Sequence, residues 1–91
     1  MDTIEQAPAS TPARQAVTMY GRPGCGPCRA TERGLESAGV VYAYADGAAH
    51  RDELAALGHT QSPVVVVRDG RGAVTDHWHG FRPDLIAALA A

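Results

Sequence analysis

The sequence predicts one small α/β domain, a four-stranded mixed sheet with three flanking helices in the order β-α-β-α-β-β-α. Three observations predict it. Short apolar and β-branched runs at 16–20, 40–44 and 64–67 alternate with segments whose apolar residues recur at helical spacing. Strands separated by helices favour parallel, right-handed crossovers. Asp69-Gly70-Arg71-Gly72 is turn chemistry, so the residues after it are expected to pair back as an antiparallel edge strand. A chain of 91 residues holds one such core.

Residues 1–15 read as a flexible tail, because Ala7-Pro8-Ala9-Ser10-Thr11-Pro12-Ala13 is small, proline-punctuated and without periodicity. The domain is expected over 16–91. Ala16–Tyr20 is the first strand, and Gly21-Arg22-Pro23-Gly24 breaks it. A helix follows from about Cys25 to Ala38, with Gly39 as its C′ residue. Cys28, Thr31, Leu35 and Ala38 share its inner face, while Arg29, Glu32, Arg33 and Glu36 share its wet face. Gly34 inside it carries a helix-propensity cost of about 1 kcal/mol relative to alanine. Val40–Tyr44 is the second strand. A second helix spans about Ala48 to Leu57, anchored by Leu54 and Leu57 and stopped by Gly58. Val64–Val67 reads as a central strand covered on both faces. The edge strand runs from Ala73 to about His77. Pro83 opens a last helix over about Arg82–Ala90, with Leu85, Ile86 and Leu89 facing inward.

Composition excludes several function classes. Hydrophobic residues make up 45% and charged residues 20%, the balance of a globular domain. The net charge of −2 gives no electrostatic basis for nucleic-acid or anionic-membrane binding. All 8 basic residues are arginine, which excludes Schiff-base chemistry on a lysine. No apolar run approaches the roughly 20 residues of a membrane-spanning helix. The first residues carry neither a basic nor an apolar leader region, so a cytoplasmic protein is expected; a monomer is expected as well.

Cys25-Gly26-Pro27-Cys28 follows a strand and a turn and opens a helix. Positions i and i+3 face the same way, so the two sulfurs meet. A bridge at that spacing closes a loop too small to staple a fold but suited to reversible exchange. Cys25 is expected at the exposed tip of the helix, where unpaired N–H groups and the dipole stabilise a thiolate. Pro27 lacks an N–H at no loss in the first turn, and Arg22 and Arg29 add positive charge nearby. Cys28, one turn inward, is the resolving thiol. Two cysteines cannot complete a tetrahedral zinc site, and His50, His59, His77 and His79 show no ligand spacing from them, so no metal is expected. Pro63 precedes the central strand. A cis Ser62–Pro63 bond there is expected to set the Ser62 backbone beside the sulfurs, ready to pair with an extended peptide.

The strand–CxxC–helix start, the Ser62-Pro63-Val64 step and the closing βα unit resemble the thioredoxin/glutaredoxin superfamily over residues 16–91, which implies a thioredoxin fold. Trp78-His79-Gly80-Phe81-Arg82-Pro83-Asp84 is similar to the W-S-G-F-R-P-D signature of NrdH-redoxins, glutaredoxin-sized proteins with thioredoxin-like behaviour. This chain departs from them with His79 in place of serine, Gly26-Pro27 between the cysteines and a longer hairpin at 69–72. The resemblance implies a dithiol–disulfide oxidoreductase and electron carrier, reduced by thioredoxin reductase. Its implied targets are class Ib ribonucleotide reductase or other disulfide-containing proteins. It makes Cys25 the attacking thiol, Cys28 the resolving thiol and Pro63 the cis-proline. It needs no cofactor beyond the redox-active disulfide. Gly26, Pro27, Pro63 and Arg22 are the expected support of the site, and Ser62, Trp78, Gly80, Phe81 and Arg82 the expected partner-binding residues. Two alternatives are a glutathione-dependent glutaredoxin, of which Arg22 is reminiscent, and a metal or iron–sulfur carrier using both thiolates. The Gly80–Asp84 stretch lacks the glycine pair and paired acidic residues of glutathione-using relatives.

Overall fold

A computed structural model describes residues 15–90; the expected tail lies outside the described residues except for Gln15. The elements are β1 (Ala16–Gly21), α1 (Gly26–Ser37), β2 (Tyr42–Asp46), a 3-10 turn (Gly47–His50), α2 (Arg51–Ala56), β3 (Val64–Arg68), β4 (Val74–His79) and α3 (Pro83–Ala90). The sheet order is β2-β1-β3-β4. This is the expected mixed sheet with three helices.

The second strand starts two residues later than its apolar run suggests, because Val40 belongs to the end of α1. Gly39 takes φ +74°. Its N–H donates to Glu36 O at 3.1 Å, and the Val40 N–H donates to Leu35 O at 2.9 Å. These two bonds form a Schellman cap, and Val40 and Leu35 lie in one apolar cluster beside it. Val41 is left exposed. The strand then extends to Asp46 because β1 reaches Gly21, its register partner. The second helix is likewise split. The Asp46 carboxylate accepts the Ala48 N–H at 3.0 Å and starts a 3-10 turn before α2.

One expectation is corrected. β1 and β2 are parallel, but β3 runs antiparallel to β1 as well as to β4. Tyr20 pairs with both Ala45 and Val64, so β2 leaves and β3 begins at the same end of the sheet. The segment between them, a four-residue 3-10 turn, the six residues of α2 and the loop to Pro63, returns the chain to that end. This reversal gathers the end of β1, the end of β2, the start of β3 and the end of β4 in one place.

The two sheet faces carry separate cores. Val17, Met19, Val65, Val67 and Trp78 pack with Leu35 of α1 and with Ile86 and Leu89 of α3. Tyr20, Val64 and Val66 pack with Leu54 of α2 on the other face. Val64–Val67 are at most 1% exposed, which is why all four are β-branched without alternation. Thr31 is fully buried and satisfied, its hydroxyl donating to Pro27 O at 2.9 Å. Gly34 has a packing reason. A Cβ there would stand 3.1 Å from Ile86 Cδ1 and 3.4 Å from Phe81 Cε1, so its bare backbone lets α3 approach α1.

Leu35 anchors α1 to the sheet with none of its surface exposed. Leu35→Ala is expected to destabilise the fold by about 2–5 kcal/mol through lost burial and an unfilled cavity. Urea unfolding followed by far-UV dichroism measures this. A loss well under about 1 kcal/mol would show that α1 is not held by this contact.

Candidate active site

Gly21 ends β1, and Arg22-Pro23-Gly24 turns the chain into α1. Cys25 is the N-cap of α1, with extended backbone at φ −94° and ψ 110°. Its Sγ accepts the backbone N–H of Cys28 at 3.1 Å. Pro27 has no N–H to offer, so the donor turned toward the sulfur is that of Cys28. The first turn of α1 holds no acidic residue, and the positive end of the helix meets the sulfur unopposed. Cys25 and Cys28 are joined as a disulfide with a Cα–Cα distance of 5.2 Å.

The leading sulfur is less open than expected at a helix tip. Cys25 is 7% exposed and Cys28 3%, because both residues belong to the core cluster of the α1/α3 face. Access comes from the side. A cleft of about 250 Å³ is lined by Cys25 and Cys28 together with Arg22, Arg29, Glu32 and Tyr44. A second cleft of about 180 Å³ shares Arg22 and continues past Gly47 and Arg51 to His59 and Ser62. The disulfide thus sits beside an open surface carrying three arginines.

The Ser62–Pro63 bond is cis. A Cβ at Gly47 would stand 3.4 Å from Gly21 O and 3.7 Å from Ser62 Oγ, which locates Ser62 at the cysteine-bearing end of the sheet. Gly80, at φ +84°, donates its N–H to Pro63 O at 2.9 Å and ties the end of β4 to the same place.

The expected partner-binding residues separate into two groups. Ser62 and Gly80 are half-buried at this end, and Phe81 and Arg82 are exposed. Trp78 is a correction. It is 5% exposed and packs in the α1/α3 core, since the β4 register opposite Val65 turns it inward, so it offers no contact surface. Arg82 is not a lone solvated charge. Its Nε and Nη2 donate to the Asp84 carboxylate at 3.1 and 2.9 Å, and this hydrogen bonding holds the Asp84 carboxyl below its usual value.

Three features escaped the sequence reading. Gly21 leaves room for the resolving sulfur, since a Cβ there would lie 3.2 Å from Cys28 Sγ and 3.1 Å from Tyr44 Cε2. Alternation along β1 gives no hint of this. Tyr44 and Glu32 join the cleft from β2 and α1. Finally, three histidines, one from the loop before Ser62 and two from β4, are in contact. His59 Nε2 lies 2.7 Å from His77 Nδ1, and His59 Nδ1 lies 3.3 Å from His79 Nδ1. The i, i+2 spacing of His77 and His79 on one strand face was the available signal; the loop position of His59 was not. Because His59 turns its two nitrogens to different partners, no common point between them is set up for an ion. Among the described residues no group of three or more His, Cys, Asp or Glu side chains stands ready to hold a metal.

Residues 17–71 match the Glutaredoxin family. The glutaredoxin-like protein NrdH of Salmonella typhimurium is 38% identical over 80 residues, covering 81% of this chain and 88% of the relative. NrdH of Escherichia coli is 37% identical over 76 residues, covering 80% and 86%. Among solved structures, the E. coli NrdH-redoxin, described as glutaredoxin-like with a thioredoxin-like activity profile, superposes with a TM-score of 0.71 at 33% identity, covering 84% of this chain and 96% of the other. Desulfothioredoxin from Desulfovibrio vulgaris, 23% identical with a TM-score of 0.68 over 84% of this chain and 78% of its own, shares the fold.

The histidine cluster generates a pH prediction. Burial lowers the His59 pKa from its ordinary 6.5, and His77 and His79 lower it further. Below about 6.5 the unfolded chain therefore binds more protons than the folded one. The cluster's contribution is fully present above that value and is lost as pH falls toward the lowered folded value. The urea midpoint is expected to fall between about pH 7.5 and about pH 5.5, and to fall less in His59→Gln. An identical fall in the variant would assign the pH dependence elsewhere.

Proposed function

The chain belongs to the glutaredoxin family, and from its likeness to NrdH proteins within it we propose that it reduces disulfides in partner proteins and is recycled by a thioredoxin reductase. Its chemistry is dithiol–disulfide exchange on Cys25 and Cys28. One observation carries the assignment of roles: Cys25 Sγ occupies the N-cap of α1 and accepts the Cys28 N–H. A hydrogen bond to an ionised sulfur is stronger than one to a neutral thiol, so this position favours the thiolate, the attacking species.

The reduced protein begins with Cys25 as a thiolate. It attacks one sulfur of a partner disulfide, and the other partner sulfur leaves with the electron pair. Cys28 then attacks Cys25, the intramolecular disulfide forms, and the partner is released with both sulfurs reduced. The oxidised state is the one with Cys25 joined to Cys28. Regeneration requires two electrons, for which a flavin-containing thioredoxin reductase is the proposed source. The proposed targets are class Ib ribonucleotide reductase and other disulfide-containing proteins. The likeness to NrdH proteins supports this reading, as does the thioredoxin-like activity profile attributed to the E. coli relative. The same setting implies a reducing, cytoplasmic compartment and no bound cofactor. Among the described residues no helix is long and apolar enough to cross a membrane.

The arginines of the two clefts suit a partner segment with carboxylates, and Ser62 at the start of β3 suits main-chain pairing with an extended strand. Gly26 and Pro27 shape the turn between the cysteines, and Pro63 presents Ser62.

Two outcomes are expected. Redox titration should give a potential of about −270 mV, the thioredoxin range; a value near −150 mV would indicate an oxidant instead. In coupled assays, insulin should be reduced with NADPH and thioredoxin reductase, Cys25→Ser should abolish turnover, and Cys28→Ser should accumulate mixed disulfides. Rapid turnover with glutathione and glutathione reductase, and none with thioredoxin reductase, would reverse the choice of reductant.

A further inference from the structure

We infer that Glu32 is the proton acceptor for the resolving thiol, its carboxylate taking the Cys28 proton across the cleft that both residues line. The inference rests on the proposed roles of the two cysteines and adds the group that those roles leave unassigned.

Cys28 must lose a proton before it attacks, and the sheet side offers nowhere to send it. There Cys28 packs within the cluster of Val17, Met19, Leu35 and Val65, none of which accepts a proton. The bare backbone of Gly21 and the ring of Tyr44 close the remaining flank. The cleft is the polar side, and Glu32 is the one carboxylate among the residues that line it. Glu32 follows Cys28 by four residues on α1, one turn along and about 40° round from the buried face to its half-buried border, and helical side chains lean toward the N-terminus over the preceding turn. Its charge also reaches β2, where it is among the causes, after burial and Glu36, that push the Tyr42 phenol up to about 12.

The other groups facing the cleft do not serve as acceptors. Arg22 and Arg29 carry guanidinium groups that only donate, and Tyr44 turns a ring carbon toward the flank beside Gly21. A carboxylate presents two oxygens that can accept a proton. Glu36, one turn further along α1, is engaged by the Tyr42 hydroxyl, which donates to it at 3.0 Å.

The step balances. The Cys28 proton passes across the cleft to the Glu32 carboxylate. The Cys28 sulfur attacks Cys25 Sγ, the Cys25–Cys28 bond forms, and the bond from Cys25 to the partner breaks. The partner sulfur leaves with the electron pair and takes a proton from the Glu32 carboxylic acid or from solvent. The protein is oxidised and the partner reduced.

Stopped-flow fluorescence with a quenched peptide disulfide separates attack by Cys25 from resolution by Cys28. The full chain, Glu32→Gln, Glu32→Asp and Cys28→Ser are compared across pH. Glu32→Gln is expected to slow the resolving phase roughly hundredfold or more and move its pH profile upward, leaving the first phase unchanged. Glu32→Asp should recover part of the rate. Resolution in Glu32→Gln at the parent rate with the same pH profile would overturn the inference. So would equal slowing of both phases, which would mean that Glu32 acts through the field at Cys25. Release of the partner by Cys28→Ser is a different failure; it would remove the role of Cys28 and the inference with it.

Discussion

The hydrogen bond between the Cys28 N–H and Cys25 Sγ is the contact on which the chemistry rests. An N-cap ordinarily uses the side-chain oxygen of serine, threonine or aspartate to satisfy the free donors of the first turn. Here a sulfur does so. As a neutral thiol it is a weak acceptor, and as an anion it is a strong one. The interaction that closes the start of α1 therefore grows stronger when the residue becomes reactive. It requires α1 to be fixed against the sheet, because a frayed first turn would scatter its donors. Leu35 and Thr31 supply that anchorage, and the Schellman cap through Gly39 and Val40 secures the far end.

The reversal of β3 gives that helix start its surroundings. Were β3 parallel to β1, Pro63 would lie at the opposite end of the sheet from Cys25. Running antiparallel, it brings Ser62, Gly47 and Gly80 to the end of β1. The four strands deliver backbone to this end, and the helices on the two faces leave it uncovered enough for clefts to open on either side of Arg22. The histidine cluster adds a tie on the α2 face, from the loop before Ser62 to β4.

Much of this was legible in the sequence because the signals were local. The inner face of α1 through Cys28, Thr31 and Leu35, the fully buried β3 run and the N-cap position of Cys25 follow from periodicity and turn chemistry. The misread features are those that depend on partners far along the chain. Val40 reads as strand, yet its N–H is held by Leu35 of the preceding helix. The direction of β3 shows in its pairing with β1 and β4, which a hydrophobic run does not encode. The openness of Cys25 was overread because the helix tip was considered without the core beneath it. Gly21 looked like a breaker, whereas its lack of a side chain makes space for a sulfur seven residues later.

The segment from Trp78 to Asp84 works chiefly from within. Trp78 fills the α1/α3 core, and Phe81 lies against the gap left at Gly34. Arg82 clamps Asp84, and its carbonyl accepts the Leu85 and Ile86 N–H groups as α3 begins. Gly80 ties β4 to Pro63. Each contact sets where β4 ends and how α3 packs, and so holds the strand end beside the disulfide. A signature of this kind specifies a scaffold. What the scaffold leaves outside for a partner is the half-exposed ring of Phe81 on one side, and on the other the clefts with Arg22, Arg29, Arg51 and the single carboxylate of Glu32.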